Sequence, residues 1–95
     1  MIAEPCEPAR QRLDKWLYYA RFAKTRERAS RMCLEGVVRV NRVRTEKPDF
    51  ALKPGDVLTF AQGNRIRVVE VRGLPGRRGS AHEAAGCYVD LAPAG

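Results

Sequence analysis

Histidine occurs once in these 95 residues and cysteine three times, and neither is arranged for chemistry. His82 has no second histidine with which to ligate a metal, and Cys6, Cys33 and Cys87 show no CxxC spacing. A structural zinc site needs four convergent ligands, so no metal and no other cofactor is expected. An odd number of cysteines without paired spacing points to free thiols in a reducing cytosol. Cys33, on an apolar helical face, reads as a small buried hydrophobe. Carboxylates are few, 11 against 18 Lys and Arg, and none has a partner placed for acid–base work. Asp14 reads as a local partner for a basic side chain or a helix start. No nucleophile sits beside a histidine, so no catalytic residues are expected and the chain is not read as an enzyme. The stretch 73–79 is rich in glycine but lacks the Lys-Ser/Thr of a P-loop, which makes it a mobile loop rather than a phosphate cradle. Long apolar runs are missing, so no membrane-spanning helix and no membrane partner are expected. The start, MIAEPCEPAR, has neither the basic nor the apolar region of a secretory signal, and the expected location is the cytoplasm.

Positive charge is abundant. The net charge is +7. Twelve of the Lys and Arg and five of the Asp and Glu fall between Arg10 and Phe50, so that stretch carries the whole excess, and the remainder, six of each sign, is neutral. Charge concentrated in one segment is the footprint of a polyanion-binding surface rather than of general solubility. A composition 44% apolar and 31% charged is that of a globular chain, and the length suits one small domain.

The pattern of apolar residues supplies the elements. Leu13, Trp16, Leu17 and Ala20 recur at i, i+3, i+4 and i+7, one face of a helix that begins near Arg12. That position makes Trp16 a core residue. Tyr18 and Tyr19 lie off the stripe, where they either stack on a base or cover the rim. Thr25 is placed to cap a second helix with Glu27 in its first turn. Ala29, Met32, Cys33 and Gly36 line that helix's inner face, Gly36 suits the left-handed position at its end, and Leu34 points elsewhere. From Val38 the period becomes two: Val38 and Val40 alternate with Arg39 in a half-buried strand, and Asn41–Arg42 turns it back toward Val43. Lys53-Pro54-Gly55-Asp56 is a tight turn. Val57–Phe60 and Arg65–Val71 are strands joined through Gln62-Gly63-Asn64. Ser80 and Glu83 form a capping box for a short helical turn, and Tyr88, Val89 and Leu91 supply a last strand.

Arg12-Leu13-Asp14-Lys15, Ala20-Arg21, Lys24-Thr25-Arg26, Ala29, the run Gly36-x-Val38-x-Val40-Asn41, Lys47-Pro48 and Pro54-Gly55-Asp56 together resemble the RNA-binding domain of the ribosomal protein S-four type. Within that family, RLDKWLYYARFAKTR looks closest to the ribosome-associated heat-shock protein fifteen group, and the similarity extends to about residue 90. The resemblance implies an α+β fold, two short helices packed on a small twisted antiparallel sheet (the αL motif) with a C-terminal strand extension. It implies a flexible tail over 1–10, a single RNA-binding domain over 11–91 with its core motif at 12–60, and a tail at 92–95. It also implies partners: ribosomal RNA and the free large ribosomal subunit, with a stranded peptidyl-tRNA as a further contact, in heat-shock recycling or nascent-chain quality control. Two departures stand out. The family's turn is usually Asn-Gly, where this chain has Asn41-Arg42, and the heat-shock protein normally continues into a long basic helix where this sequence reaches Gly95.

The RNA-binding residues expected on these grounds are Arg12, Lys15, Arg21, Lys24, Thr25, Arg26, Arg28, Arg31, Arg39, Asn41, Arg42, Arg44 and Lys47. Arginine offers a rigid fork for phosphate oxygens, and a curved basic surface suits the irregular backbone of folded RNA. A monomer is expected, because no large apolar stripe is left over. Two other classes stay open. The domain type also precedes pseudouridine synthases, as the RNA-binding module of a modification enzyme, and residues 13–35 are compatible with a DNA-binding helix-turn-helix.

Overall fold

The computed structural model describes residues 10–91. Of the expected tails at 1–10 and 92–95, all but Arg10 lies outside the described residues, and Cys6 with it. Ten elements follow in order. They are β1 (Gln11–Arg12), α1 (Leu13–Tyr19), α2 (Arg26–Leu34), β2 (Val38–Val40), β3 (Val43–Thr45), β4 (Ala51–Leu52), β5 (Val57–Gln62), β6 (Arg65–Val71), α3 (Ala81–Ala85) and β7 (Tyr88–Asp90). Five strands form an antiparallel sheet in the order β3-β2-β5-β6-β7, and β1 pairs with β4 in a separate two-stranded ribbon. The α+β fold expected from the resemblance is the fold observed.

One face of the sheet makes the core. Val38, Val40, Leu58, Phe60, Val69 and Val71 are buried there against Leu13, Trp16 and Leu17 of α1 and Ala29 and Cys33 of α2. The stripe at i, i+3, i+4 is therefore the buried face of α1, as its spacing predicts. Burial pushes the Cys33 thiol up to about 12, with the nearby Asp14 charge adding to the effect, so it stays protonated and inert. Leu34, which the pattern leaves unassigned, is exposed at 62%.

Helix ends follow local chemistry. Thr25 Oγ1 accepts from the Arg28 amide at 3.0 Å, one of the donors that a helix start leaves unpaired. Gly36 sits at φ +73°, the left-handed position that favours glycine, with the mobile end of the exposed Arg44 side chain lying over it. The capping box of α3 is complete, with Ser80 and Glu83 each bonding the other's backbone amide.

Two features escape the sequence pattern. The β1–β4 ribbon, with Gln11 opposite Leu52, is too short to show a period. The glycine-rich stretch expected to be mobile is tied to α1 and its flanks by side chains that donate to its carbonyls. Gln11 Nε2 reaches Pro75 O at 2.7 Å, Trp16 Nε1 reaches Gly73 O at 2.9 Å, and Arg21 Nη1 reaches Gly79 O at 2.7 Å. Arg78 returns the contact, its Nε donating to Tyr18 O at 3.2 Å.

Among the described residues no helix covers the outer sheet face. Cross-strand register places Arg39, Thr59 and Val68 in one row and Ala61 and Ile66 in another. Ile66 is 63% exposed, and Val37, Val89 and Leu91 are also exposed. Apolar surface is thus left over after all, because strand residues half-hidden by their neighbours do not read as a stripe.

Candidate nucleic-acid interface

The charge excess of the αL unit is held in three places. The first is the start of α1 and α2. Asp14 is buried and accepts two hydrogen bonds from Arg12, at 3.0 and 3.1 Å, with Arg26 a further 3.7 Å away. Burial alone would raise the Asp14 carboxyl; the bond and charge of Arg12, with Arg26 and the Lys15 amide, more than offset that and hold it below the ordinary carboxylate value. Arg12 is in turn held protonated, chiefly by Asp14. One buried anion thus orients two exposed guanidinium groups, as the expected local role of Asp14 requires.

The second place is the outer side of α2 and the loop before it. Arg28 and Arg31 are exposed and one turn apart. Lys24 is exposed in the loop that leads to Thr25. Among the described residues no ion pair or hydrogen bond engages the side chains of Lys24, Arg28 and Arg31. Arg21 stands in the same loop at φ +69°, with its guanidinium on Gly79 O. Lys15, on α1, lies 5.9 Å from the centre of the Tyr19 ring. The Thr25 hydroxyl is occupied by its cap.

The third place is the β2–β3 hairpin. Its two-residue turn holds both Asn41 (φ +52°) and Arg42 (φ +73°) in the left-handed region, which is the turn that matches strand twist. Asn41 is committed internally: its Nδ2 donates to Asp56 Oδ1 at 3.1 Å and its Oδ1 accepts from the Val57 amide at 2.9 Å. Asp56 is itself buried. Its carboxyl, raised by burial, is brought below the usual value mainly by Lys53 and then by Asn41. Asn41 therefore positions the hairpin and leaves Arg42 as its exposed tip. Arg39 and Arg44 pair across the hairpin on the outer sheet face, and the Arg44 guanidinium lies over Gly36 at the end of α2 and meets Glu46 at 3.1 Å. Lys47 is exposed just beyond. The expected single surface is thus divided: strand alternation turns Arg39 away from the helices, while Arg44 reaches back to the end of α2.

A left-handed arginine is strained by roughly 1–2 kcal/mol relative to glycine, less the entropy glycine loses on folding. Arg42→Gly is expected to stabilise the domain by about 0.5–1 kcal/mol while weakening RNA binding about three-fold or more through loss of one phosphate contact. Urea unfolding and RNA titration of the same variant check this. A variant that is more stable and binds RNA as tightly as before would remove Arg42 from the interface.

The sequence pattern missed Arg77 and Arg78. They belong to the remainder of the chain, 1–9 and 51–95 taken together, whose charges sum to zero, yet the tethers of loop 73–79 bring them to α1. The Arg78 guanidinium stacks 4.8 Å from the Tyr18 ring centre. The adjacent pair of arginines in a glycine-rich loop was the available signal, hidden by summing charge over half the chain. Among the described residues, no group of three or more His, Cys, Asp or Glu is placed to hold a metal ion, and no helix is long and apolar enough to cross a membrane.

Comparison with known proteins agrees with this geometry. The S4 domain family matches residues 11–58. The chain is 43% identical over 81 residues to heat shock protein 15 of Escherichia coli K12, covering 85% of this chain and 60% of that protein. It is 38% identical over 71 residues to small ribosomal subunit protein uS4 of Erythrobacter litoralis, covering 70% of this chain and 34% of that protein. It therefore spans about three fifths of the heat shock protein 15 sequence and a smaller share of the ribosomal one. The trimeric structure of Vibrio cholerae heat shock protein 15 superposes with a TM-score of 0.83 at 36% identity, over 87% of this chain and 83% of that one. That relative is a trimer, against the monomer expected here, and the uncovered apolar sheet face removes the ground for that expectation.

Proposed function

This chain belongs to the S4 domain family and, within it, to the heat shock protein 15 group, and on that footing we propose that it binds ribosomal RNA of the free large ribosomal subunit without catalysing a reaction. A subunit carrying stalled peptidyl-tRNA is the target, in heat-shock recycling or nascent-chain quality control in the cytoplasm. The observation that carries the reading is the set of exposed cations on α2, its preceding loop and the hairpin tip that no group among the described residues neutralises, Lys24, Arg28, Arg31 and Arg42 among them. Each is available to a phosphate, and Asp14 orients two more guanidinium groups beside them. The trimer of the Vibrio relative makes self-association the expectation in place of a monomer, with the outer sheet face as the surface available for it.

Neutralising roughly six phosphates makes affinity fall with salt, with a log–log slope of about −4 to −5. Titrating a ribosomal RNA fragment at several salt concentrations measures it, and a slope near zero would sink the phosphate reading. Sedimentation then tests the target: the chain should travel with free large subunits in preference to intact ribosomes, and an equal distribution would leave only general RNA binding.

A further inference from the structure

A cleft of about 220 Å³ opens between the end of α1 and the tethered loop, lined by Tyr19, Pro75, Arg77, Glu83 and Cys87 among others. It is smaller than the roughly 300–1,000 Å³ of pockets that take drug-sized ligands, and suits one flat ring. None of its polar residues belongs to the αL unit's expected set, and Tyr19 is the one group it shares with the helical surface.

The wall chemistry is specific. Tyr19 is half-buried, with the Tyr18 ring centre 5.8 Å from its own and the Lys15 ammonium 5.9 Å from its centre. Arg77 is 75% exposed at the mouth, and its ion-pair contact among the described residues is a long one, Nη2 to Glu83 Oε2 at 3.6 Å. Glu83 Oε1 is occupied by the Ser80 amide at 3.0 Å in the capping box. Glu83 Oε2 therefore remains as an acceptor. The box also fixes the carboxylate's position, and the loop opposite is fixed by the bonds from Gln11, Trp16 and Arg21. An aromatic ring, a fixed acceptor and a mostly exposed guanidinium around a ring-sized space are the parts needed to hold an unpaired base: a stacking platform, an edge-reading acceptor and a phosphate contact.

We propose that this cleft is a nucleobase site that takes one unpaired, amino-bearing base of the bound RNA, stacked against Tyr19, with its exocyclic amine donating to Glu83 and its phosphate met by Arg77. This rests on the reading that the chain binds RNA. It adds a second contact outside the αL unit and gives it base discrimination. Cytosine, which presents an amino donor, is accepted. Uracil, which presents a carbonyl at the same position, faces the carboxylate with like partial charge and is rejected.

The test uses the full chain and three RNAs: a structured ribosomal RNA fragment, and single-stranded oligocytidylate and oligouridylate of about six nucleotides, within the length one small domain covers. The cytidylate should bind several-fold more tightly than the uridylate. Tyr19→Leu should weaken the cytidylate roughly ten-fold or more, and Arg77→Ala about three-fold or more. Glu83→Gln keeps the capping box, since glutamine serves there as well, and should bring the two oligonucleotides to equal affinity. Circular dichroism confirms that each variant is folded. Equal affinity of the wild type for the two oligonucleotides, or variants that bind the cytidylate as the wild type does, would overturn the base site while binding of the structured fragment keeps the parent reading intact. A wild type that binds none of the three RNAs overturns both.

Discussion

Trp16→Ala is expected to cost about 3–5 kcal/mol of stability, the range for removing a fully buried indole. Trp16 is fully buried between α1 and the C-terminal half of the chain. Its ring lies 5.8 Å from Phe22 and 6.4 Å from Tyr88, centre to centre, and its N–H reaches a carbonyl 57 residues away. Truncation therefore opens a cavity, removes the indole's contacts to an aromatic cluster in which Phe22 still meets Phe60 and Tyr88 directly, and strands the Gly73 carbonyl. For a domain of this size the loss corresponds to a fall in melting temperature of about 15–30 °C. Trp16→Phe separates the causes. It keeps most of the packing and loses the N–H, so about 1 kcal/mol is expected from the part-buried carbonyl left without a donor. Chemical unfolding followed by far-ultraviolet circular dichroism measures both. An alanine variant within about 1 kcal/mol of the wild type would show that the C-terminal half is not held through this residue.

Reversing the charge of Arg28 and Arg31 together, as Arg28→Glu/Arg31→Glu, is expected to lower RNA affinity about a hundred-fold or more at moderate salt. Two phosphate contacts are lost and two repulsions replace them, on side chains that no group among the described residues neutralises. Stability should scarcely change. Both positions are exposed, and the helix dipole favours glutamate near the start of α2 about as much as it disfavours it near the end. The paired readout matters, because an affinity loss accompanied by unfolding says nothing about the surface. A folded double variant that still binds the RNA fragment as the wild type does would exclude α2 from the interface. The salt slope of the variant should also flatten, which distinguishes lost phosphate contacts from a displaced helix.

What the sequence reveals and what it hides follow from the range of the interactions concerned. Leu13, Trp16 and Leu17 announce a buried face because a helix repeats its own period within one element. Thr25, Ser80 and Glu83 are legible because a cap is a contact between near neighbours. Val38, Arg39 and Val40 show which side of a strand is inside, and the same alternation, followed through, already sends Arg39 to the opposite face from the helices. The anchoring of loop 73–79 leaves no such trace. Trp16 to Gly73, Gln11 to Pro75 and Arg21 to Gly79 are side-chain donors meeting carbonyls some sixty residues away, and any residue type can supply a carbonyl. Arg77 and Arg78 were lost for the same reason, since their neighbourhood is set by those bonds and not by the residues beside them. The internal commitment of Asn41 was hidden too: an asparagine that reads as a turn former is equally a two-ended connector, and only the position of Asp56 and Val57 decides which.

That connector has a consequence for how tightly an RNA can be held. A two-residue turn at the end of three-residue strands would ordinarily fluctuate, and immobilising it on a ligand would subtract from the binding free energy. Here the Asn41 amide grips Asp56 and Val57 from both ends, and Lys53 secures Asp56 in turn. The tip's freedom is surrendered when the chain folds rather than when RNA arrives. Arg42 is then presented by preorganised backbone, with only its own side-chain rotamers left to fix.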